Sequence, residues 1–143
     1  MSSAETSELF NCSVPEFFKI VADYESYPKF LSEVKECKIL EEREQQKLVE
    51  FHISLIKSFS YRLWLKEEAP YKVSWELESG DIFKLNRGHW HLEEEAEKTR
   101  AHYFVEAKFK VFVPGPVGKA LVNVNLPNMM SSYHKRVQEL YGK

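Results

Sequence analysis

The chain has 143 residues, with 20 Lys and Arg against 22 Asp and Glu, so its formal net charge is −2 at pH 7. This length suits one domain with one hydrophobic core, and we take residues 1–143 as a single domain. The near balance of charge gives no general attraction to nucleic acid, and no nucleic-acid partner is expected. The first residues lack a basic region followed by an apolar run, and no apolar segment is long enough to span a bilayer, which predicts a cytoplasmic location.

The first strong local signal is the capping box Ser13-Val14-Pro15-Glu16, which has proline inside the first turn. It predicts a helix that begins at Val14 and ends near Asp23 or Tyr24. The apolar face of this helix consists of Phe17, Phe18, Ile20 and Val21. Because proline disfavours helical geometry at the residue before it, a second, very short helix is expected after Pro28.

From Val34 onward, segments of about ten residues alternate apolar and polar side chains, as in an antiparallel sheet with one buried face. The predicted strands are Val34 to Glu41, Lys47 to Ile56, Phe59 to Lys66, Tyr71 to Leu77, Phe83 to Glu94 and Thr99 to Val113. The last is long enough to need a bend or a bulge. The chain then breaks at Pro114-Gly115-Pro116, and a short apolar segment from Val117 to Val124 follows.

The C-terminal segment from Leu126 to Tyr141 has the clearest helical period. Asn125 is predicted to cap its start, Pro127 fits the first turn and Gly142 ends it. Its apolar positions recur at steps of three and four, at Leu126, Met129, Met130, Tyr133, Val137, Leu140 and Tyr141. A run of strands with helices at both ends of the chain predicts the α+β class.

Two segments carry a family resemblance: the first is Asp23-Tyr24-Glu25-Ser26-Tyr27-Pro28-Lys29-Phe30-Leu31, and the second is Gly80-Asp81-Ile82-Phe83 followed by Gly88-His89-Trp90-His91-Leu92. The sequence resembles the START-like (SRPBCC) superfamily, in particular the polyketide cyclase/dehydrase and coenzyme Q-binding START-domain branch. The resemblance spans essentially the whole chain. It implies a helix-grip fold, in which a seven-stranded antiparallel sheet curls around the long C-terminal helix, with two short helices after the first strand. It also implies a hydrophobic cavity between sheet and helix, and a first strand at Ala4 to Asn11, where the residue pattern alone is weak.

The superfamily includes lipid carriers, quinone-binding proteins, aromatase/cyclases and a ribosome-association toxin, so the fold alone does not decide the function. The side chains predicted to face inward offer apolar area, phenols and indole N–H groups, which suit an apolar ligand with a few polar groups. Each of them taken singly is more often an ordinary core residue. The candidate ligand-binding residues are Phe51, Tyr61, Trp75, Trp90, Tyr103, Phe109, Met129, Met130 and Tyr133.

A metal site is not expected. His89 and His91 lie two positions apart on one predicted strand and His102 lies on the next, an arrangement that can bind zinc. Strand alternation, however, turns all three side chains away from the apolar face. Cys12 and Cys37 lack the spacing of a metal or redox motif, and both are expected to be reduced and structural. No cofactor is expected.

The sequence also lacks a recognisable set of catalytic residues. No nucleophile elbow is present, Ser58 and Ser60 are predicted on the outer face, and His52 alternates away from the core. An enzyme would have to use Tyr61, Tyr103 or Tyr133 as proton donor, without an inward acid or histidine.

The leading hypothesis is therefore binding or transport of a small hydrophobic ligand, namely a lipid, a quinone or an aromatic polyketide-like molecule. Enzymatic activity is uncertain and less expected than binding. The alternatives are a polyketide cyclase/dehydrase-type enzyme and a ribosome- or protein-interaction module that docks through its outer surface.

Overall fold

A computed structural model of the chain describes residues 2–110 and 113–142. The described residues form seven strands, with helices after the first and after the last. In chain order the elements are β1 (Ser2–Phe10), α1 (Val14–Ala22), a 3-10 helix (Tyr24–Lys29), β2 (Val34–Glu42), β3 (Gln46–Leu55), β4 (Lys57–Glu68), β5 (Lys72–Gly80), β6 (Phe83–Glu95), β7 (Lys98–Phe109), α2 (Gly115–Lys119), a π-helical segment (Ala120–Val124) and α3 (Leu126–Tyr141). In the described ranges no helix is both long enough and apolar enough to cross a membrane.

The strands form one antiparallel sheet in the order β1-β7-β6-β5-β4-β3-β2, with β1 and β2 at its open edges. Strands β2 to β7 pair as successive hairpins, whereas β1 pairs with β7 from the other end of the sequence. In that pair Ser2 lies opposite Ala107 and Phe10 opposite Thr99. The first strand implied by the family resemblance is therefore confirmed, and with it the helix-grip fold.

The inner face of the sheet follows the predicted alternation, with one informative break in β6. Gly88, Trp90 and Leu92 face the core as expected. A shift of register between Phe83 and Leu85 lets Phe83 and Asn86 both be buried, although they are three residues apart. Because side chains alternate with a period of two, only such a bulge brings both to one face.

Helix α1 begins as the capping box predicts. The amide of Ser13 donates to Glu16 Oε1 at 2.9 Å, and the amide of Glu16 donates to Ser13 Oγ at 3.3 Å. These two bonds satisfy amides that have no partner within the helix. The face that α1 buries against the sheet carries Val14, Phe17, Ile20 and Val21.

The short helix expected after Pro28 is misplaced in the prediction, because the 3-10 helix spans Tyr24–Lys29 and contains that proline. Its end is held by the amides of Phe30 and Leu31, which donate to the carbonyl of Tyr27 at 3.2 and 2.8 Å. Tyr24 and Tyr27 are buried. This burial overrides the local preference of the residue before proline for extended geometry.

The C-terminal third differs from the prediction at several boundaries. β7 ends at Phe109, and Val113 lies in the connection beyond it, while Val111 falls outside the described residues. The apolar segment from Val117 to Val124 is helical, because Pro114 precedes α2 and Pro116 fits the first turn. Further upstream, β5 begins at Lys72 and not at Tyr71, which is 55% exposed.

Helix α3 has the predicted bounds and the predicted end. Gly142 has φ of 64° and its amide donates to the carbonyl of Gln138 at 2.8 Å. This left-handed conformation is the one that glycine adopts readily at a helix end. The predicted N-cap role of Asn125 is wrong, since its side chain caps no helical amide. That side chain is used elsewhere, as described below.

Candidate ligand-binding cavity

A cavity of about 180 Å³ lies between the inner face of the sheet and α3. The wall is formed by strands β2 to β7, α1, the 3-10 helix, the π-helical segment and the first turns of α3. Seven of the nine candidate residues are in this wall. They are Phe51, Tyr61, Trp75, Trp90, Tyr103, Met129 and Tyr133.

The other two candidates, Met130 and Phe109, do not line the cavity. Met130 is 3% exposed and belongs to the packed core, because adjacent helix positions are about 100° apart and only Met129 turns toward the space. Phe109 packs against Phe83 at 5.1 Å between ring centroids and lies beneath Gly118 of α2. Contact of the seven wall residues with a ligand stays a prediction.

Aromatic rings in mutual contact build most of the wall. Tyr61 stacks on Phe51 at 5.2 Å and meets Phe83 edge-on at 5.2 Å between centroids. Trp90 lies 4.9 Å from Tyr103 and 5.1 Å from Tyr133. Such edge-to-face and stacked pairs hold their rings in defined orientations. The cavity wall is consequently preformed rather than assembled from independent flexible side chains.

Two glycines make room for this wall. A Cβ on Gly88 would lie 2.1 Å from the carbonyl oxygen of Phe104 and 2.7 Å from the indole ring of Trp75. A Cβ on Gly80 would lie 2.9 Å from Cβ of Tyr61. Both glycines belong to the second segment that carries the family resemblance. Their lack of a side chain leaves room for Tyr61 and Trp75 in the cavity wall.

Some polar atoms of the wall are already paired. Trp75 Nε1 donates to Asn86 Oδ1 at 3.2 Å, and the hydroxyl of Tyr27 donates to the carbonyl of Val21 at 2.5 Å. The phenols of Tyr61 and Tyr103, in contrast, have no hydrogen-bond partner in ranges 2–110 and 113–142. Since no fully buried side-chain polar atom of these ranges lacks a partner, both phenol oxygens are open to the cavity. Burial raises the pKa of both phenols well above the usual value, so both remain neutral O–H donors at physiological pH.

An acidic residue in the wall contradicts the expectation that no acid faces inward. Glu33 lies in the cavity wall together with Asn125. Asn125 Nδ2 donates to Glu33 Oε2 at 2.6 Å, and the amide of Ser54 donates to the carbonyl of Glu33 at 2.8 Å. Glu33 precedes β2, in a connection without alternation, so the sequence carried no signal for the direction of its side chain.

The histidines singled out in the sequence lie on the outer face of the sheet, as alternation predicted. His102 Nε2 is 3.2 Å from Glu93 Oε2, and the rings of His91 and His102 are 6.0 Å apart. His89 contacts Phe104, and partial burial lowers the pKa of its imidazole. His52 also lies outside, where its Nε2 is 2.7 Å from Glu50 Oε1.

Ser60 is held on the same outer side. Its amide donates to Asp81 Oδ2 at 2.9 Å and its hydroxyl donates to that oxygen at 3.2 Å. Asp81 belongs to the second resemblance segment. Its role in the structure is to join the β5–β6 turn to β4.

The curled sheet, the gripping helix and the apolar cavity between them define a helix-grip protein of the START-like superfamily. The model of the family described as polyketide cyclase/dehydrase and lipid transport matches residues 11–132. The chain belongs to this family.

Solved structures with the same fold come from several organisms. A START superfamily protein from Mycobacterium smegmatis is 22% identical with a TM-score of 0.85, covering 96% of this chain and 98% of its own. A protein from Thermus thermophilus is 14% identical with a TM-score of 0.86, covering 98% and 99%. The Zhui aromatase/cyclase from a Streptomyces species is 14% identical with a TM-score of 0.71, covering 96% and 86%. At these identities the likeness concerns the fold, and the comparison with curated protein sequences found no match.

Proposed function

We propose that this protein binds a small hydrophobic ligand in the cavity between the sheet and α3, and holds it without chemical change. The observation that carries the proposal is the cavity itself, a space of about 180 Å³ walled mainly by aromatic and aliphatic side chains. A close-packed core leaves few voids larger than a water molecule. A space of this size between the sheet and α3 is therefore the best candidate for a ligand site.

The volume restricts the ligand. An engineered apolar cavity of about 150 Å³ binds benzene, whereas drug-sized ligands occupy roughly 300 Å³ or more. A cavity of about 180 Å³ therefore suits a one- or two-ring aromatic molecule, such as the ring of a quinone or an aromatic polyketide fragment. A long lipid chain would need additional space, which Met129 at the wall could give by repacking.

A cyclase- or dehydrase-type enzyme is the second candidate, and Glu33 is the observation that favours it. A carboxylate in the same wall as the phenols of Tyr61 and Tyr103 would supply both a proton acceptor and proton donors. Binding remains our first proposal, because no residue in the described wall is a histidine, lysine or arginine that could stabilise a developing enolate.

The test fills the cavity from α3. In Met129→Trp the indole should occupy the space that a ligand uses, so binding of 2-naphthol, followed by isothermal titration calorimetry, should fall at least about tenfold while the fold is retained. The matched control is Leu140→Trp on the same helix, since Leu140 is 48% exposed and lies outside the cavity wall. This control should bind like the parent protein.

A parent protein that binds no neutral one- or two-ring aromatic, and that carries no co-purifying small molecule in native mass spectrometry, would refute the proposal. The outer surface would then become the site of interest, as for a protein-interaction module. Cytoplasmic location and the lack of a nucleic-acid partner belong to the same proposal. They are supported by the two buried cysteine thiols and by the net charge of −2.

A further inference from the structure

One side of the cavity carries polar groups, although most of its wall is apolar. Glu33 Oε2 accepts the hydrogen bond from Asn125, whereas Oε1 has no hydrogen-bond donor among the residues that the structure describes. The carboxylate lies close enough to act on the nearby phenols. After burial, the charge of Glu33 is the next cause that raises the pKa of Tyr103, and it also contributes at Tyr61.

The phenols of Tyr61 and Tyr103 also belong to this polar side of the cavity. Each is a neutral O–H group in the wall that has no hydrogen-bond partner in the described chain, and its oxygen is open to the cavity, because no fully buried side-chain polar atom there lacks a partner. Polar groups inside proteins are normally hydrogen-bonded, so each phenol takes a partner from what occupies the cavity, either water or a ligand. A ligand group in the cavity would provide that partner, since it could accept from a phenol while donating to Glu33.

The negative charge of Glu33 limits which ligand groups can bind on this side of the cavity. No lysine, arginine or histidine lines the cavity in the part of the chain that the structure describes. An anionic ligand group would therefore meet the negative charge of Glu33 without a neutralising partner, in surroundings where charges interact more strongly than in water.

Building on the proposed function, we propose that Glu33, Tyr61 and Tyr103 select a neutral ligand that carries a hydroxyl group, a phenol or an alcohol, and exclude carboxylates. A hydroxyl offers one donor and two acceptor lone pairs. It can therefore donate to Glu33 and accept from a phenol at the same time, which neither a hydrocarbon nor a carboxylate can do.

The test uses three probes with one skeleton: 2-naphthol, naphthalene and 2-naphthoate, titrated near neutral pH. The parent should bind 2-naphthol at least about tenfold more tightly than naphthalene, and 2-naphthoate most weakly. In Glu33→Gln the charge is removed with little change of shape. The preference for 2-naphthol over naphthalene should shrink to about threefold or less, and 2-naphthoate should gain affinity.

The matched control is Glu36→Gln, which makes the same change at a side chain that is 47% exposed and paired with Lys38. Its three affinities should equal those of the parent. If Glu33→Gln does not fold, Tyr103→Phe serves instead, and it should weaken 2-naphthol while leaving naphthalene unchanged.

The outcomes separate the two proposals. Equal binding of naphthalene and 2-naphthol by the parent, unchanged in Glu33→Gln, would overturn the selection of a hydroxyl and leave hydrophobic binding intact. Tight binding of 2-naphthoate by the parent would also overturn it. Failure of all three probes to bind, together with no co-purifying small molecule in native mass spectrometry, would instead refute the proposed function, and the selection with it.

Discussion

At the scale of single residues, the segment Asp23 to Leu31, which carries part of the family resemblance, buries the rings of Tyr24 and Tyr27. These two rings connect the 3-10 helix to the sheet. The hydroxyl of Tyr24 donates to Glu67 Oε2 of β4 at 2.8 Å, and Lys47 Nζ of β3 lies 3.2 Å from that same oxygen. Tyr27 contacts Phe51 in the cavity wall at 6.3 Å between ring centroids. The 3-10 helix is thus anchored to two strands, which fixes one side of the cavity.

Cys37 provides a test of this side of the core. It is buried on β2, and burial, with a smaller effect of Glu25, raises the pKa of its thiol to about 12. At pH 8 about one thiol in ten thousand would then be ionised, roughly a thousandfold less than in the unfolded chain. Alkylation of Cys37 by iodoacetamide, followed by mass spectrometry, should be slower than in urea-unfolded protein by at least that factor.

The same shift has a defined effect on stability. The folded state holds the Cys37 proton more tightly than the unfolded chain, whose thiol has its ordinary pKa of 9.0. The contribution to stability is therefore fully present below about pH 9 and is lost as the pH rises toward 12. Native labelling of Cys37 within about tenfold of the unfolded rate would show that this part of the core admits solvent.

At the scale of elements, β6 shows how the path of one strand shapes the cavity. It contributes Phe83, Asn86 and Trp90 to the wall, and its bulge brings the first two to the same face. Its close approach to β7 and to Trp75 requires a residue without a side chain at Gly88. Length and apolar character alone would not produce this geometry.

Gly88→Ala should consequently destabilise the protein strongly, because the new Cβ would collide with the backbone of β7, which cannot move without disrupting the sheet. We expect a loss of about 3 kcal/mol or more in the free energy of unfolding, measured with urea. Gly115→Ala is the matched control, since no atom lies within 4 Å of its added Cβ. It should change stability little, and similar losses for the two variants would contradict the steric explanation.

At the scale of the whole molecule, the sheet and α3 border a space that the folded chain alone leaves unfilled. Folding and binding are therefore linked, because a ligand that binds only the folded state stabilises it by mass action. The unfilled space also forgoes the contacts that its wall residues would otherwise make.

A ligand such as 2-naphthol, present at one hundred times its dissociation constant, should raise the free energy of unfolding by about 2.7 kcal/mol. For a domain of this size, that corresponds to roughly 5 to 10 °C in the melting temperature, followed by circular dichroism. Met129→Trp should show no such increase, since its cavity is filled. An increase of the same size in both proteins would place the binding site elsewhere.

The sequence by itself determined those features that rest on contacts between neighbours along the chain. The capping box set the start of α1, the three-and-four period set α3, and alternation assigned most strands and turned His89 and His91 outward. These signals are local, because a helix face or a strand face depends on residues a few positions apart. The same locality explains why the resemblance was needed for β1, whose pairing partner β7 lies at the other end of the chain.

Only the tertiary structure decided where the cavity lies and what is in its wall. Glu33 lies in a connection where apolar and polar residues do not alternate. The Asn125 side chain donates a hydrogen bond to Glu33 instead of capping α3. Met129 reaches the cavity while Met130 is buried in the core, a distinction that the apolar period cannot make because both are apolar. A filled core and a hollow one use the same residue types. The difference is the volume left after side chains from separate strands and helices have packed together, which no local pattern records.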